Sequence, residues 1–215
     1  MMNAKTMILG GALASLLIAP GLASAAFVLD TGAPSSDTGA PVSVLSTSQF
    51  LADEFSVAAG LNVTSLSAYL TEGVGQPGDT FTFDIYSSAG FTSRPSSRPA
   101  PVFTATGTFS ANGWNSASVD WVPASTGTYW LALQVGSTTQ TKGLDAPGLG
   151  ISTTSGSAPA LGFAYAGTTG QYALSSAAPV AMEITAAPVP LPATAWLFAS
   201  GLFAVGGFAR RRRPS

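Results

Sequence analysis

Apolar and polar side chains alternate with a period of two through the middle of the chain. In the run Thr80 to Ser87, Phe81, Phe83 and Ile85 fall on one face and Thr82, Asp84 and Tyr86 on the other, which predicts a strand over that run with one side packed on a core. The same character marks Leu61 to Leu70, Val102 to Ser110, Ser116 to Val122 and Thr128 to Val135. Weaker runs occur at Ala26 to Leu29, Val42 to Leu45, Phe50 to Val57, Gly162 to Ala166 and Ala181 to Thr185. Gly, Pro, Ser and Asn separate these runs, and none sustains a helical period. Short strands at roughly ten-residue spacing predict an all-β domain, an antiparallel two-sheet sandwich of jelly-roll-like character, with an up-and-down barrel as the alternative.

The two ends break this pattern. Lys5 precedes an uncharged run from Met7 to Ile18, then Pro20 and Gly21, then Ala23-Ser24-Ala25. Small residues at Ala23 and Ala25 predict a secretory signal helix cleaved after Ala25, so residues 1–25 read as a signal peptide. At the other end, Val189-Pro190-Leu191-Pro192-Ala193 is followed by an uncharged stretch to Ala209 and by Arg210-Arg211-Arg212-Arg213. As a helix, residues 193–209 would span roughly 25 Å, the short end of what crosses a hydrocarbon core. The arginine cluster would hold that end in the cytoplasm. Three segments follow: a signal peptide at 1–25, a β domain at 26–187 and a sorting tail at 188–215.

Val189 to Ala193, the apolar helix and the arginine cluster together resemble the PEP-CTERM class of bacterial sorting tails, in the variant named for its Val-Pro-Leu-Pro-Ala signature. The resemblance implies passage through the Sec translocon, cleavage by signal peptidase and transient residence in the inner membrane. It further implies recognition by an exosortase, a membrane-embedded transpeptidase that cuts near the motif. The destination it implies is the outer membrane, cell surface or exopolysaccharide matrix of a Gram-negative bacterium. The likeness covers residues 189–215 and leaves the activity of the β domain open. A looser likeness to anonymous β-sandwich domains that precede such tails rests on the opening Asp-Thr-Gly-x-Pro, Phe50 to Phe55, Gly113-Trp114-Asn115 and Gly127 to Ala132.

Composition narrows the chemistry. The chain has no Cys and no His, which excludes disulfides, thiolate metal sites and Ser-His-Asp or Cys-His catalysis. All ten acidic residues lie between Ala26 and Pro192, against the three basic residues Arg94, Arg98 and Lys142, so this domain stands near −7. That balance disfavours nucleic acid as a partner. No cofactor is indicated, although Asp37, Asp53, Glu54, Asp79 and Asp145, in or beside predicted loops, are oxygen donors that could suit Ca²⁺.

One segment is similar to a catalytic signature. Phe27-Val28-Leu29-Asp30-Thr31-Gly32-Ala33 reads like the Asp-Thr-Gly-Ala element of aspartic proteases, and Asp37-Thr38-Gly39-Ala40 repeats it. Catalysis needs two carboxylates converging from two lobes, whereas these copies share one Pro-rich segment. A turn is the expected structure, with the carboxylate accepting backbone N–H groups and Gly supplying a positive φ.

Among the aromatic residues, Trp114 lies in an expected loop between Gly113 and Asn115 and is the candidate for stacking on a sugar ring. Trp121 and Trp130 fit either a core or an exposed role. The function expected is that of a noncatalytic exported surface or matrix protein, with a carbohydrate-binding module as the alternative and an aspartic peptidase as the remote one.

Overall fold

The computed structural model describes residues 24–34, 42–44, 50–73, 76–88, 100–134, 145–147, 156–166, 172–175 and 180–189. The expected signal helix and the helix at 193–209 lie outside these residues. Among the described residues no helix is long and apolar enough to cross a membrane.

Among the described residues twelve strands form: β1 (Ala26–Asp30), β2 (Val42–Val44), β3 (Phe50–Val57), β4 (Leu61–Leu70), β5 (Thr80–Ser87), β6 (Phe103–Thr108), β7 (Gly113–Trp121), β8 (Gly127–Gln134), β9 (Asp145–Pro147), β10 (Gly162–Ala166), β11 (Tyr172–Ser175) and β12 (Met182–Pro188). They build a four-stranded sheet in the order β1-β12-β4-β7 and a six-stranded sheet in the order β11-β10-β3-β8-β5-β6, with a small β2-β9 pair besides. All the strand pairings are antiparallel.

Alternation explains how the sheets close on one another. Leu29, Leu66, Leu70 and Ile184 of the four-stranded sheet and Leu51, Phe55, Phe83 and Leu131 of the six-stranded sheet share one buried cluster. Phe81 and Phe83 meet edge to face at 5.3 Å between ring centroids, a favoured aromatic geometry. Trp121 belongs to this core, edge-on to Tyr129 at 5.2 Å.

β5 departs from expectation. Its second face is also closed over, with Thr82, Asp84 and Tyr86 buried. β5 lies between β8 and β6, and its far side carries a second apolar cluster of Ala52, Tyr86, Trp130, Ala132 and Ala164. The Asp84 carboxylate can be buried there because Tyr86 Oη–H, Thr104 Oγ1–H and the Gln134 side-chain amide all donate to it, as a buried acceptor requires.

The start of β7 also differs. The strand was expected from Ser116 but begins at Gly113, so Trp114 sits in a strand rather than a loop. Asn115 is the cause: it points inward at 2% exposure. Its Oδ1 accepts the Ser110 N–H at 2.8 Å, and its Nδ2 donates to the carbonyls of Ala111 and Gly113, both at 2.9 Å. A residue that reads as a loop former thus ties the β6–β7 turn from inside a strand.

Candidate functional site

The expected sorting signature starts one residue after the last strand of the described residues. β12 closes at Pro188, and Val189 donates its N–H to the Gly60 carbonyl at 2.9 Å while its side chain is 42% exposed. Pro190, Leu191, Pro192, Ala193 and Arg210 to Arg213 lie outside the described residues, as does Ala23. Ala25 is exposed just before β1. Because β1 runs antiparallel to β12 with Ala26 opposite Ala186, the chain enters and leaves the domain at the same end of one sheet.

The Asp-Thr-Gly segment forms a clip. Asp30 Oδ1 accepts the Gly32 N–H at 3.0 Å, with Gly32 at φ 82°, and Oδ2 accepts both the N–H and the hydroxyl of Ser157 at 2.7 Å. Thr31 is buried, and its Oγ1 accepts the Met182 N–H at 2.8 Å while donating to the Met182 carbonyl at 3.2 Å. The expected turn chemistry of Asp30 and Gly32 is therefore present, and both carboxylate oxygens are engaged within the chain. The second copy, at Asp37, lies outside the described residues.

Glu183 is the cross-strand partner of Asp30. Partial burial pushes the Asp30 carboxyl up, but the hydrogen bonds from Ser157 and Gly32 outweigh it and bring the group below the usual aspartate range. Glu183 is pushed up, by partial burial and then by the Asp30 charge. A depressed folded-state value means that Asp30 stabilises the fold above the unfolded value near 3.9 and loses that contribution as pH falls through its own lower one. Asp30→Asn, which sets an amide against the Ser157 donors, is expected to cost about 1 kcal/mol at pH 7 after allowance for solvent screening. Urea melts should show that difference shrinking as pH falls below about 4.

The face of the four-stranded sheet that turns away from the core collects residues from strands far apart in sequence. Register sets Asp30 opposite Glu183, Glu183 opposite Ser67, and Ser67 opposite Ser116, forming one row across four strands. The Ser67 and Ser116 hydroxyls are 2.8 Å apart. The next row pairs Tyr69 with Trp114, rings edge-on at 5.7 Å, both half-buried and packed against Ala181. On the other side a row runs from Phe27 through Thr185 and Ser65 to Ser118, and Phe27 is 45% exposed. Trp114, the sequence-derived candidate, belongs to this face. Tyr69, Glu183, Ser67, Ser116 and Phe27 join it only through strand register, which no single run of sequence displays.

The proposed Ca²⁺ donors do not converge among the described residues. Alternation along β3 turns neighbours to opposite faces. Asp53, read as lying near a loop, is instead fully buried in the core, whereas Glu54 accepts a hydrogen bond from Ser88 Oγ at 2.9 Å. Asp79 accepts the Gln76 N–H in a turn, and Asp145 lies in β9 opposite Val44. Asp37 lies outside the described residues. No group of three candidate metal-ligating side chains occurs among the described residues.

No protein-family model matches the chain, and no curated protein is similar enough to count as a match.

Proposed function

We propose that this chain is a noncatalytic exported protein of the cell surface or extracellular matrix of a Gram-negative bacterium, processed by an exosortase and associated with envelope or exopolysaccharide. The observation that carries this reading is the Val189 to Ala193 signature followed by an uncharged stretch and four arginines. Its position supports it, since the signature starts at the residue where the last strand has just ended and is exposed. A processing enzyme could reach the first residue of the motif, Val189, without unfolding β12. The neighbouring exits of β1 and β12 suit a precursor held at the membrane by both ends before cleavage. The strand order β1-β12-β4-β7 facing β3-β8-β5-β6 supports a jelly-roll-like reading of the domain, with β10 and β11 extending one sheet.

Expression of the full chain in an exosortase-bearing Gram-negative host, followed by mass spectrometry of the final product, tests the reading. The expected product starts at Ala26 and lacks Arg210 to Arg213. The Pro190→Ala, Pro192→Ala double variant should keep its tail and stay in the inner membrane. An unmodified tail through Arg213 in the final wild-type product overturns the proposal.

A further inference from the structure

We propose that the outward face of the four-stranded sheet, between Trp114 on β7 and Phe27 on β1, is a binding surface for an extended neutral polysaccharide. The two aromatic residues stand on the two edge strands of this sheet. Three strand spacings, roughly 14 Å, separate those edges, and Trp114 lies four residues along β7 from Ser118, which is level with Phe27, roughly another 13 Å, so the pair suits an elongated ligand laid obliquely across the strands. An aromatic ring at each end offers an apolar surface on which the C–H face of a sugar ring can lie.

Between them the face presents hydroxyl and carboxylate groups. Ser116 and Ser118 are exposed, and Ser65, Thr185 and Glu183 are half-buried. Each hydroxyl can donate and accept, and the Glu183 carboxylate accepts, which matches the paired donor and acceptor character of sugar hydroxyls. The Ser67–Ser116 contact uses only one hydroxyl hydrogen, leaving the other free to be donated outward.

Charge decides the class of ligand. The strands β1, β4, β7 and β12 contain no Lys or Arg, while Asp30, Asp120 and Glu183 lie on them. A phosphate, uronate or sulfate chain would be repelled, so a neutral chain is the fitting occupant. The face is also too polar for a protein partner of the apolar kind, because Phe27 is the one large exposed hydrophobic among the described residues of these four strands.

This inference names the ligand class for the matrix association proposed above, yet its test does not depend on tail processing. The full chain, extracted in neutral detergent, is run in native gels containing dextran, laminarin, mannan or galactan, with alginate as the anionic comparison. Retardation is expected in at least one neutral gel and not in alginate. Trp114→Ala should weaken that retardation at least tenfold and Phe27→Ala several-fold, whereas Trp114→Phe should retain most of it. Ser116→Lys, at an exposed position that folding tolerates, should abolish binding by laying a long side chain across the face. Leu161→Ala, exposed but on neither of the edge strands, should change nothing. Thermal melts confirm that each variant is folded. Unaltered mobility in all four neutral gels, retardation by alginate alone, or wild-type retardation of Trp114→Ala and Ser116→Lys would each overturn the proposal, whether or not the tail is cleaved.

Discussion

Asp53→Asn stabilises the domain at pH 7 and above and has little effect near pH 4. Asp53 lies in β3 opposite Leu131 and Phe163. It is fully buried, and neither carboxyl oxygen has a hydrogen-bond partner. Burial pushes its carboxyl well above the ordinary aspartate range, and desolvation is the sole cause. The neighbouring strands explain why no charge compensates: β8 and β10 carry no Asp, Glu, Lys or Arg, and Asp30 of β1 is bonded to Gly32 and Ser157. The folded chain therefore keeps a proton on Asp53 that the unfolded chain releases. A raised folded-state value means this contribution is fully present below the unfolded value near 3.9 and is lost as pH rises toward the folded one. The loss amounts to about 1.4 kcal/mol for each pH unit in that window. Asparagine resembles the protonated acid and does not titrate, so the wild-type and Asp53→Asn midpoints should diverge steadily with pH. Asp53→Val, which also removes the unpaired polar atoms, should add about 1–3 kcal/mol over Asp53→Asn at every pH. Thermal melts from pH 4 to pH 8 decide the matter, because Asp30 acts in the opposite sense and cancels when the variant is compared with wild type at each pH. Parallel pH profiles for wild type and Asp53→Asn would show that the buried carboxyl carries no such cost.

The buried aspartate also shows where the sequence is legible and where it stops. β3, β4, β5 and β10 begin and end where the apolar pattern and the flanking turn residues place them, since alternation is a property of each strand alone. Asp53 is hidden because Leu51, Ala52, Asp53 and Glu54 fit neither phase cleanly, and a charged residue is normally assigned to solvent. β9 and β11 escape notice for another reason. They have three and four residues, too few for a period to register, and β9 ends in a proline. Trp114 is misplaced because Gly-Trp-Asn has loop composition, although Asn115 satisfies its own amide by bonding the turn from within β7. The outward face as a unit is illegible for a more general reason. Phe27, Tyr69, Trp114 and Glu183 are neighbours through pairing order and register, and the crossovers that set this order are long-range choices of the whole chain. By contrast, the Val189 to Ala193 run behind the proposed sorting signature is local and is read from its letters alone.

Gly156→Ala is expected to destabilise the domain by about 3 kcal/mol, a size set by backbone displacement rather than by one lost contact. A Cβ at position 156 would overlap the Asp30 carbonyl and crowd the Asp30 carboxylate. The close approach exists because residues 156–158 are laid along the end of β1: the Asp30 N–H donates to the Ala158 carbonyl at 2.6 Å, and Ser157 donates twice to the Asp30 carboxylate. Backbone cannot yield as a flexible side chain would, so the segment must move off and all three hydrogen bonds weaken together. The Asp30 carboxyl then loses the Ser157 donors that hold it low, and with them the acid-side pH dependence it contributes. Two measurements separate this account from simple loss of packing. In a double-mutant cycle, Gly156→Ala and Asp30→Asn should together cost clearly less than the sum of their separate effects, since both dismantle one clip. The pH dependence of stability below pH 4 should flatten in Gly156→Ala as it does in Asp30→Asn. Additive costs with an unchanged acid limb would mean that Gly156 supports the fold by another route and that the Asp30–Ser157 bonds survive the added methyl group.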